Sequence, residues 1–152
     1  MADPTGSGFL AVDLDVYSKR RLDGLVAAFG SKVLPLYVGS ERSRQVAHLG
    51  LVAQHATPER AIRDWLRLIK HLPAAAQAQW RSAHSRELNV GLESLSGPRR
   101  TEYQLAAKTL EAVALAGVRL GLTLYPPDGQ PERHALPKRA SAGAAKRRAH
   151  QP

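Results

Sequence analysis

An alternation of apolar and polar residues runs through residues 9–17, FLAVDLDVY. One side of an extended chain would carry Leu10, Val12, Leu14 and Val16, and the other would carry Ala11, Asp13, Asp15 and Tyr17. Because successive side chains of a strand point to opposite sides, this spacing predicts a strand with one buried and one solvated face. A sheet with one open face is therefore expected.

Helical spacing follows the first strand and returns twice later in the chain. The pattern predicts a first helix with Ser18 at its N-cap and Gly30 at its end, where a left-handed residue is expected. A second helix is predicted to begin at Thr57-Pro58-Glu59, which supplies an N-cap, a proline at the first turn and an acid near the helix N-terminus. Pro73 breaks it, an Ala-rich helical piece runs through Trp80, and a third helix precedes Gly117.

The buried faces of two helices can be assigned from this spacing. The second helix should bury Ile62, Trp65, Leu66, Ile69 and Leu72, and the third should bury Leu105, Leu110, Val113 and Ala114. Trp65 is accordingly expected in the core.

Four further strands are predicted by alternation and by bounding turn residues. They are Lys32–Gly39, Gln45–Ala53, Leu88–Leu92 and Val118–Tyr125, with a polar hairpin loop at residues 39–44. The order predicts an α+β fold with a ferredoxin-like β-α-β-β-α-β core, extended by a third helix and a fifth strand. Each strand has one apolar face, so we expect the helices on one face of the sheet. Pro35 cannot donate to a ladder, which predicts an edge position for the second strand.

The positive charge of the chain is unevenly distributed. The 152 residues include 22 Lys and Arg against 13 Asp and Glu, a net charge of +9. Residues 128–152 hold 6 of the basic and 2 of the acidic residues, leaving 16 and 11 in residues 1–127. The last segment has almost no large apolar residues and cannot offset its ordering entropy by burial. We expect a flexible N-terminus at 1–8, one α+β domain at 9–127 and a disordered basic tail at 128–152.

Composition also limits the class of protein. There are no cysteines, which excludes disulfides, thiolate zinc sites and a cysteine nucleophile. No apolar run reaches the roughly 18 residues that a membrane span needs, and no signal-peptide pattern opens the chain. The sequence predicts a cytoplasmic protein with no membrane association, and nothing in it calls for a cofactor.

The succession from Leu14-Asp15-Val16, through the Trp-bearing second helix, to LAGVRLGLTLY at residues 115–125 resembles small bacterial domains of unknown function. The resemblance covers roughly residues 9–126. Members look like single α+β domains that end in the same helix, glycine turn and strand finishing in Tyr. The resemblance implies a role as an immunity or accessory factor, but it carries over no catalytic residue and does not extend to the basic tail.

The open sheet face is the predicted site. Its expected partner-binding residues are Asp13, Asp15, Tyr17, Tyr37, His48, Asn89, Arg119 and Tyr125, with Glu87 and Thr123 beside them. Asp13 and Asp15 would lie about 6.5 to 7 Å apart on one strand face, and His48 could complete a set for a metal-assisted hydrolase. A metal site needs three or more converging ligands, however, so the ordinary interpretation is a solvated polar face, with no metal and no catalytic residue. No Gly-x-Ser-x-Gly motif or glycine-rich phosphate loop is present.

A second surface is predicted from basic residues alone. Arg60, Arg63, Arg67 and Lys70 recur at helical spacing, and Lys146, Arg147 and Arg148 lie in the tail. Such residues could contact nucleic acid without sequence specificity, although a stripe of this kind is usually just the solvated side of a helix. The main hypothesis is therefore a non-enzymatic protein that binds another protein with an acidic surface through its open sheet face or edge. The alternative is a nucleic-acid-binding accessory protein that uses the tail and the stripe.

Overall fold

The computed structural model describes residues 8–94 and 100–126, which form an α+β fold. The strands are β1 (Phe9–Ser18), β2 (Val33–Glu41), β3 (Arg44–Leu51), β4 (Ser85–Glu93) and β5 (Arg119–Tyr125). The helices are α1 (Asp23–Ala28), α2 (Pro58–Lys70), α3 (Ala74–Ser82) and α4 (Ala107–Leu115), with a 3-10 turn at Gly30–Lys32. The predicted basic tail, and the predicted flexible N-terminus except for Gly8, lie outside the described residues.

The five strands form one mixed sheet in the order β2-β3-β1-β4-β5. The pairs β2–β3, β3–β1 and β1–β4 are antiparallel, whereas β4 and β5 are parallel. β1 is therefore central, and β2 and β5 are the two edges. The edge position of β2 confirms what Pro35 predicted, and the pairing of β2 with β3 shifts register between Pro35 and Tyr37.

The core lies between one face of the sheet and the helices. Val12, Leu14 and Val16 of β1 belong to the same buried cluster as residues of all four helices. Trp65 has no exposed surface, and its indole Nε1 donates a hydrogen bond of 2.8 Å to the carbonyl oxygen of Val12. Phe29 packs edge-on against the Trp65 ring at 5.8 Å between centroids. The face predicted for α2 is confirmed, because its members are buried or partly buried against this cluster.

The start of α2 also follows the sequence pattern. Thr57 is the N-cap residue in extended conformation, its hydroxyl accepts a hydrogen bond from the Arg60 backbone N–H at 3.4 Å, and Pro58 begins the helix. Gly30 and Gly117 both have positive φ, at +64° and +66°, as expected for glycines that end helices. None of the described helices is long and apolar enough to cross a membrane.

The prediction of Ser18 as a helix N-cap was wrong. Ser18 is the last residue of β1, where it pairs with Gln45, and its hydroxyl accepts a hydrogen bond from the Arg20 backbone N–H at 3.0 Å. α1 begins only at Asp23, with Leu22 in the N-cap position and no side-chain cap. A serine hydroxyl can accept a backbone hydrogen bond in a turn as well as at a helix N-terminus. Here the pairing of Ser18 with β3 keeps it in the strand, so its hydroxyl bonds to the turn that follows.

The hairpin loop predicted at residues 39–44 is shorter in the structure. β2 continues to Glu41 and β3 starts at Arg44, which leaves only Arg42 and Ser43 in the turn. Both have positive φ, 45° and 69°, as a two-residue turn with the right-handed twist of its strands requires. Arg42 and Ser43 are not the Gly or Asn residues that usually occupy such positions, so the sequence did not indicate where the turn lies.

Several apolar residues assigned to the core are exposed. Leu10 is 51% exposed because a register shift between Phe9 and Ala11 turns it away from the helices. Leu110 is 46% exposed and Ala114 is also exposed, since α4 buries Thr109 and Val113 instead. Leu122 and Leu124 are 71% and 68% exposed because β5 is an edge strand that the helices only partly cover.

Candidate functional site

The face of the sheet opposite the core carries a row of residues that crosses all five strands. Strand register places Tyr37 beside His48, His48 beside Asp15, Asp15 beside Glu87 and Glu87 beside Arg119. We call these five residues the charged row. All the described helices bury their apolar residues on the other face, so the charged row faces away from the core.

Each carboxylate of the row has a hydrogen-bonding partner within the row. The Nδ1 atom of His48 lies 2.6 Å from Oδ1 of Asp15, and Nη2 of Arg119 lies 3.0 Å from Oε2 of Glu87. Arg119 also donates to the Ser85 hydroxyl at 3.0 Å. Asp15 and Glu87 are directly opposite on neighbouring strands, an arrangement that destabilises a sheet unless each carboxylate has a compensating partner. The pairs therefore hold four side chains of the row in defined positions.

Asp13 lies one row further along β1, opposite Asn89. Its carboxylate is partly buried and makes no hydrogen bond or ion pair with another described residue, while the Asn89 side chain accepts a hydrogen bond of 2.8 Å from the Thr123 hydroxyl. Burial raises the pKa of Asp13 and the Asp15 carboxylate raises it further, against a smaller lowering by His48. Asp13 is thus the least compensated charge of this face.

Two tyrosines flank the imidazole of His48. The Tyr37 ring lies 5.8 Å from it in a tilted arrangement, and the Tyr17 ring lies 6.0 Å from it edge-on. The guanidinium carbon of Arg44 sits 4.4 Å above the centre of the Tyr17 ring. Burial, followed by the negative charge of Asp15, raises the pKa of Tyr17, so this tyrosine keeps its proton well above neutral pH. Aromatic and cationic groups thus border the charged row on the β2–β3 side.

Two glycines lie under apolar side chains at the Asp13 end of the face, Gly50 level with Asp13 and Gly91 opposite Ala11. A Cβ atom on Gly50 would lie 3.5 Å from Cδ1 of Leu36, and one on Gly91 would lie 3.6 Å from Cε2 of Tyr125 and 3.7 Å from Cβ of Leu10. Leu36, Tyr125 and Leu10 thus lie close to the sheet while remaining exposed. This end of the face is therefore apolar and shallow.

The structure brings the sequence-predicted site residues onto one face. The contacts and strand pairing above join Asp13, Asp15, Tyr17, Tyr37, His48, Asn89 and Arg119, and Tyr125 lies on the same face at the end of β5. Sequence alternation missed Leu10 and Leu36, because each lies at a register shift that breaks the two-residue period. It also missed Arg44, which was assigned to a loop.

The three residues of the hydrolase alternative do not make a metal centre. Asp15 and His48 are paired and Asp13 is a neighbour, but in residues 8–94 and 100–126 no group of three or more His, Cys, Asp or Glu could hold a metal ion. The geometry gives that alternative no support.

The basic stripe lies on the opposite side of the molecule. Arg60, Arg63, Arg67 and Lys70 are all exposed on α2, and the first three line a surface cavity of about 440 Å³ together with His55. Asp64 neutralises part of this surface, because its carboxylate lies 2.7 Å from Nη2 of Arg67. Lys146, Arg147 and Arg148 lie outside the described residues.

No family model, no curated protein and no solved structure matches this chain.

Proposed function

We propose that this chain is a non-enzymatic binding protein that recognises another protein through its open sheet face. The observation that carries the proposal is the combination on this face of exposed aromatic and apolar side chains with charges that are already paired. Tyrosine and arginine are enriched in protein interfaces, and side chains held in place before binding lose less entropy on association. A role as an immunity or accessory factor in the cytoplasm is part of the proposal, and it rests on the sequence.

The proposed fold is a ferredoxin-like core to which α4 and β5 are added. The order β2-β3-β1-β4 with antiparallel neighbours supports this description. The complete sheet departs from a four-stranded one because β5 joins β4 in parallel. A sheet of five strands is about 20 Å wide and its strands are roughly 25 to 30 Å long. Such a face covers roughly 500 to 600 Å², about two-thirds of the roughly 800 Å² that a partner contributes to a standard interface.

The partner is proposed to have an acidic surface. The net charge of +9 would steer such a partner towards the protein and raise its rate of association. On the open face, the carboxylates of Asp15 and Glu87 are paired, and Arg119 is exposed but already paired with Glu87. Arg44 is exposed over the Tyr17 ring and lies outside these pairs. Acidic side chains of the partner would therefore meet Arg44 on the β3 flank of the charged row.

The test compares a variant of the open face with a variant of the helix side. Leu36→Asp combined with Tyr37→Asp places two charges among exposed side chains, so the fold should be retained. We expect proteins captured from host extract by the full chain to be depleted at least tenfold on this variant. Arg63→Ala on α2 is the matched control and should capture them as the unaltered chain does.

Equal capture by the open-face variant would contradict the proposal, as would recovery of RNA or DNA with no enriched protein. Circular dichroism and thermal unfolding of both variants verify that a loss of capture does not come from a loss of fold.

A second candidate function, nonspecific nucleic-acid binding, is favoured by the cavity lined by His55, Arg60, Arg63 and Arg67. Removal of a cation that binds phosphate should weaken binding of all sequences alike and reduce the slope of log affinity against log salt by about 1. Arg60→Gln with Arg63→Gln removes two cations, so we expect it to reduce this slope by about 2 for oligonucleotide binding. Deletion of residues 128–152 should weaken binding further. Oligonucleotide binding that depends neither on salt concentration nor on the double substitution or the deletion would exclude this function.

A further inference from the structure

The β5 strand offers an edge that the described part of the chain leaves unpaired. β5 ends the sheet, so the backbone on its outer side has no neighbouring strand in residues 8–94 and 100–126. It is seven residues long, and both Leu122 and Leu124 are more than two-thirds exposed. Its interior contains neither proline nor charge, the usual devices that prevent a sheet edge from pairing with another chain.

The other edge of the sheet has these devices. Pro35 removes a backbone donor from β2, and the register shift between Pro35 and Tyr37 interrupts its regular pairing. Of the two edges, β5 alone is therefore suited to pairing with a further strand.

We infer that β5 pairs in antiparallel fashion with β5 of a second copy of this chain, about a two-fold axis through Leu122. This register uses the whole strand: Arg119 lies opposite Tyr125, Leu120 opposite Leu124, Gly121 opposite Thr123, and the two Leu122 residues face each other. A two-fold interface must match a surface to itself, and the sequence RLGLTLY does so on both faces of the sheet.

On the helix side, the three leucines of one strand meet the three of the other. Leu122 and Leu124 become covered by this pairing, which accounts for exposed leucines that no element of the described chain covers. On the open side, the small pair Gly121 and Thr123 lies between two pairs of Arg119 with Tyr125, where a guanidinium can approach an aromatic ring. If the register were shifted by two residues, Arg119 and Tyr125 at the ends of the two strands would no longer lie opposite each other.

α4 contributes to the same interface. Ala112 faces the groove beside α2, and Leu110 lies two residues away, about 200° around the helix and hence on the side away from α2. The exposed side chain of Leu110 adds to the apolar surface that Leu122 and Leu124 offer on the helix side of the sheet. An interface made by one seven-residue strand edge and its flanking leucines belongs to the small class, below about 1,200 Å² in total, in which association is weak. We therefore expect a dimer with a dissociation constant in the micromolar range.

The inference goes beyond the proposed function and does not rest on it. Pairing through β5 would join two five-stranded sheets into one of ten strands and would leave β1, β2 and β3 of both open faces accessible. Loss of dimerisation and loss of partner capture can therefore be measured separately on the same variants.

Sedimentation velocity of the full chain over a concentration series tests the dimer. We expect association in the unaltered chain, a monomer for Leu122→Arg at every concentration, and unaltered association for Leu34→Arg. Leu34 is a matched control because it is 54% exposed on the other edge strand. A monomer at all concentrations for the unaltered chain would overturn the inference, as would association that Leu122→Arg does not weaken.

Cross-linking tests the register, and the absence of native cysteines makes it specific. The Cα atoms of residues directly opposite in an antiparallel pair lie about 4.5 to 5.5 Å apart, within the range for a disulfide. Leu122→Cys should therefore give a disulfide-linked dimer on mild oxidation, whereas Leu34→Cys should remain monomeric. Equal cross-linking of the two variants, or none at Leu122→Cys, would overturn the proposed register.

Discussion

Trp65 connects the helices to the central strand by both packing and hydrogen bonding. Its indole is fully buried, packs against Phe29 and donates to the Val12 carbonyl. We expect Trp65→Ala to lower the free energy of unfolding by about 3 to 5 kcal/mol, because it removes buried apolar surface and leaves a cavity. Chemical denaturation monitored by circular dichroism measures the change.

Trp65→Phe is the matched control for this prediction. It retains most of the apolar volume but leaves the Val12 carbonyl without the indole donor, so its cost should be clearly smaller than that of alanine. A loss below about 1 kcal/mol for Trp65→Ala would contradict the central position of this side chain.

Asp13 should lower the free energy of unfolding as the pH rises, which is the opposite of the usual effect of a carboxylate in a folded protein. Burial and the nearby Asp15 raise its pKa in the folded protein above the ordinary value of 3.8. The folded protein then holds the proton more tightly than the unfolded chain, so the contribution of Asp13 is most favourable below that value. It is lost as the pH rises through the folded pKa. We expect Asp13→Asn to raise the free energy of unfolding at pH 7 and to change it little at pH 3.

Asp23→Asn is the control, because the hydrogen bond from Arg21 lowers the pKa of Asp23. Its effect at pH 7 should be absent or opposite in sign. Urea denaturation at the two pH values measures both variants, and a loss of stability at pH 7 for Asp13→Asn would contradict the unfavourable environment assigned to this carboxylate.

At the scale of elements, α4 begins with help from α2. α4 has no side-chain cap of its own at Ala106, but Glu59 of α2 accepts a hydrogen bond from the Ala106 backbone N–H at 3.2 Å and from the buried Thr109 hydroxyl at 2.6 Å. A carboxylate at a helix N-terminus satisfies backbone donors that the helix cannot. Glu59 thereby fixes the start of α4 against α2.

We expect Glu59→Ala to destabilise the protein by about 1 to 3 kcal/mol, because it leaves the Thr109 hydroxyl buried without its acceptor. Thr109→Val in addition should restore part of the loss, since the orphaned hydroxyl is then removed. Denaturation of the two single variants and the double variant measures the coupling. Strictly additive losses would show that the two side chains do not act together.

The contrast between α2 and α4 shows what the sequence could predict. α2 has its own N-cap at Thr57 and a wide apolar stripe, so its start and its buried face were both predicted correctly. The cap of α4 comes from Glu59, 47 residues earlier, so nothing local indicated which side of α4 is buried. The alternating leucines of β5 are compatible with a buried central strand as well as with an edge strand. Only the strand order of the folded sheet shows that β5 is an edge. The buried side of α4 and the edge position of β5 therefore depend on contacts between residues far apart in the sequence, which a local pattern does not contain.

The same limit applies to the candidate site. The two-residue period of a regular strand placed Asp13, Asp15 and Tyr17 on the open face, and it holds where β1 is paired without interruption. It failed at the register shifts that expose Leu10 and Leu36, which form the apolar end of that face. The polar centre of the site could thus be predicted, whereas its apolar border depends on how neighbouring strands meet.

For the whole molecule, the arrangement around β1 predicts an order of local stability. β1 is paired on both sides, and its core side chains Val12, Leu14 and Val16 are almost completely buried. α1 has six residues, no side-chain cap and a single buried residue, Leu25. Because amide exchange reports local opening, amides of β1 that bond to β3 or β4 should exchange slowest, and those of α1 among the fastest.

Hydrogen exchange followed by mass spectrometry at two protein concentrations tests this order and the dimer together. β1 should exchange at the same rate at both concentrations, because its protection comes from within one chain. β5 should become more protected at the higher concentration, since pairing with a second copy covers its outer amides. Leu122→Arg should remove that dependence while leaving β1 unchanged. Protection of α1 equal to that of β1 would contradict the predicted order of local stability. Protection of β5 that does not depend on protein concentration would contradict pairing through its edge and would leave that order unaffected.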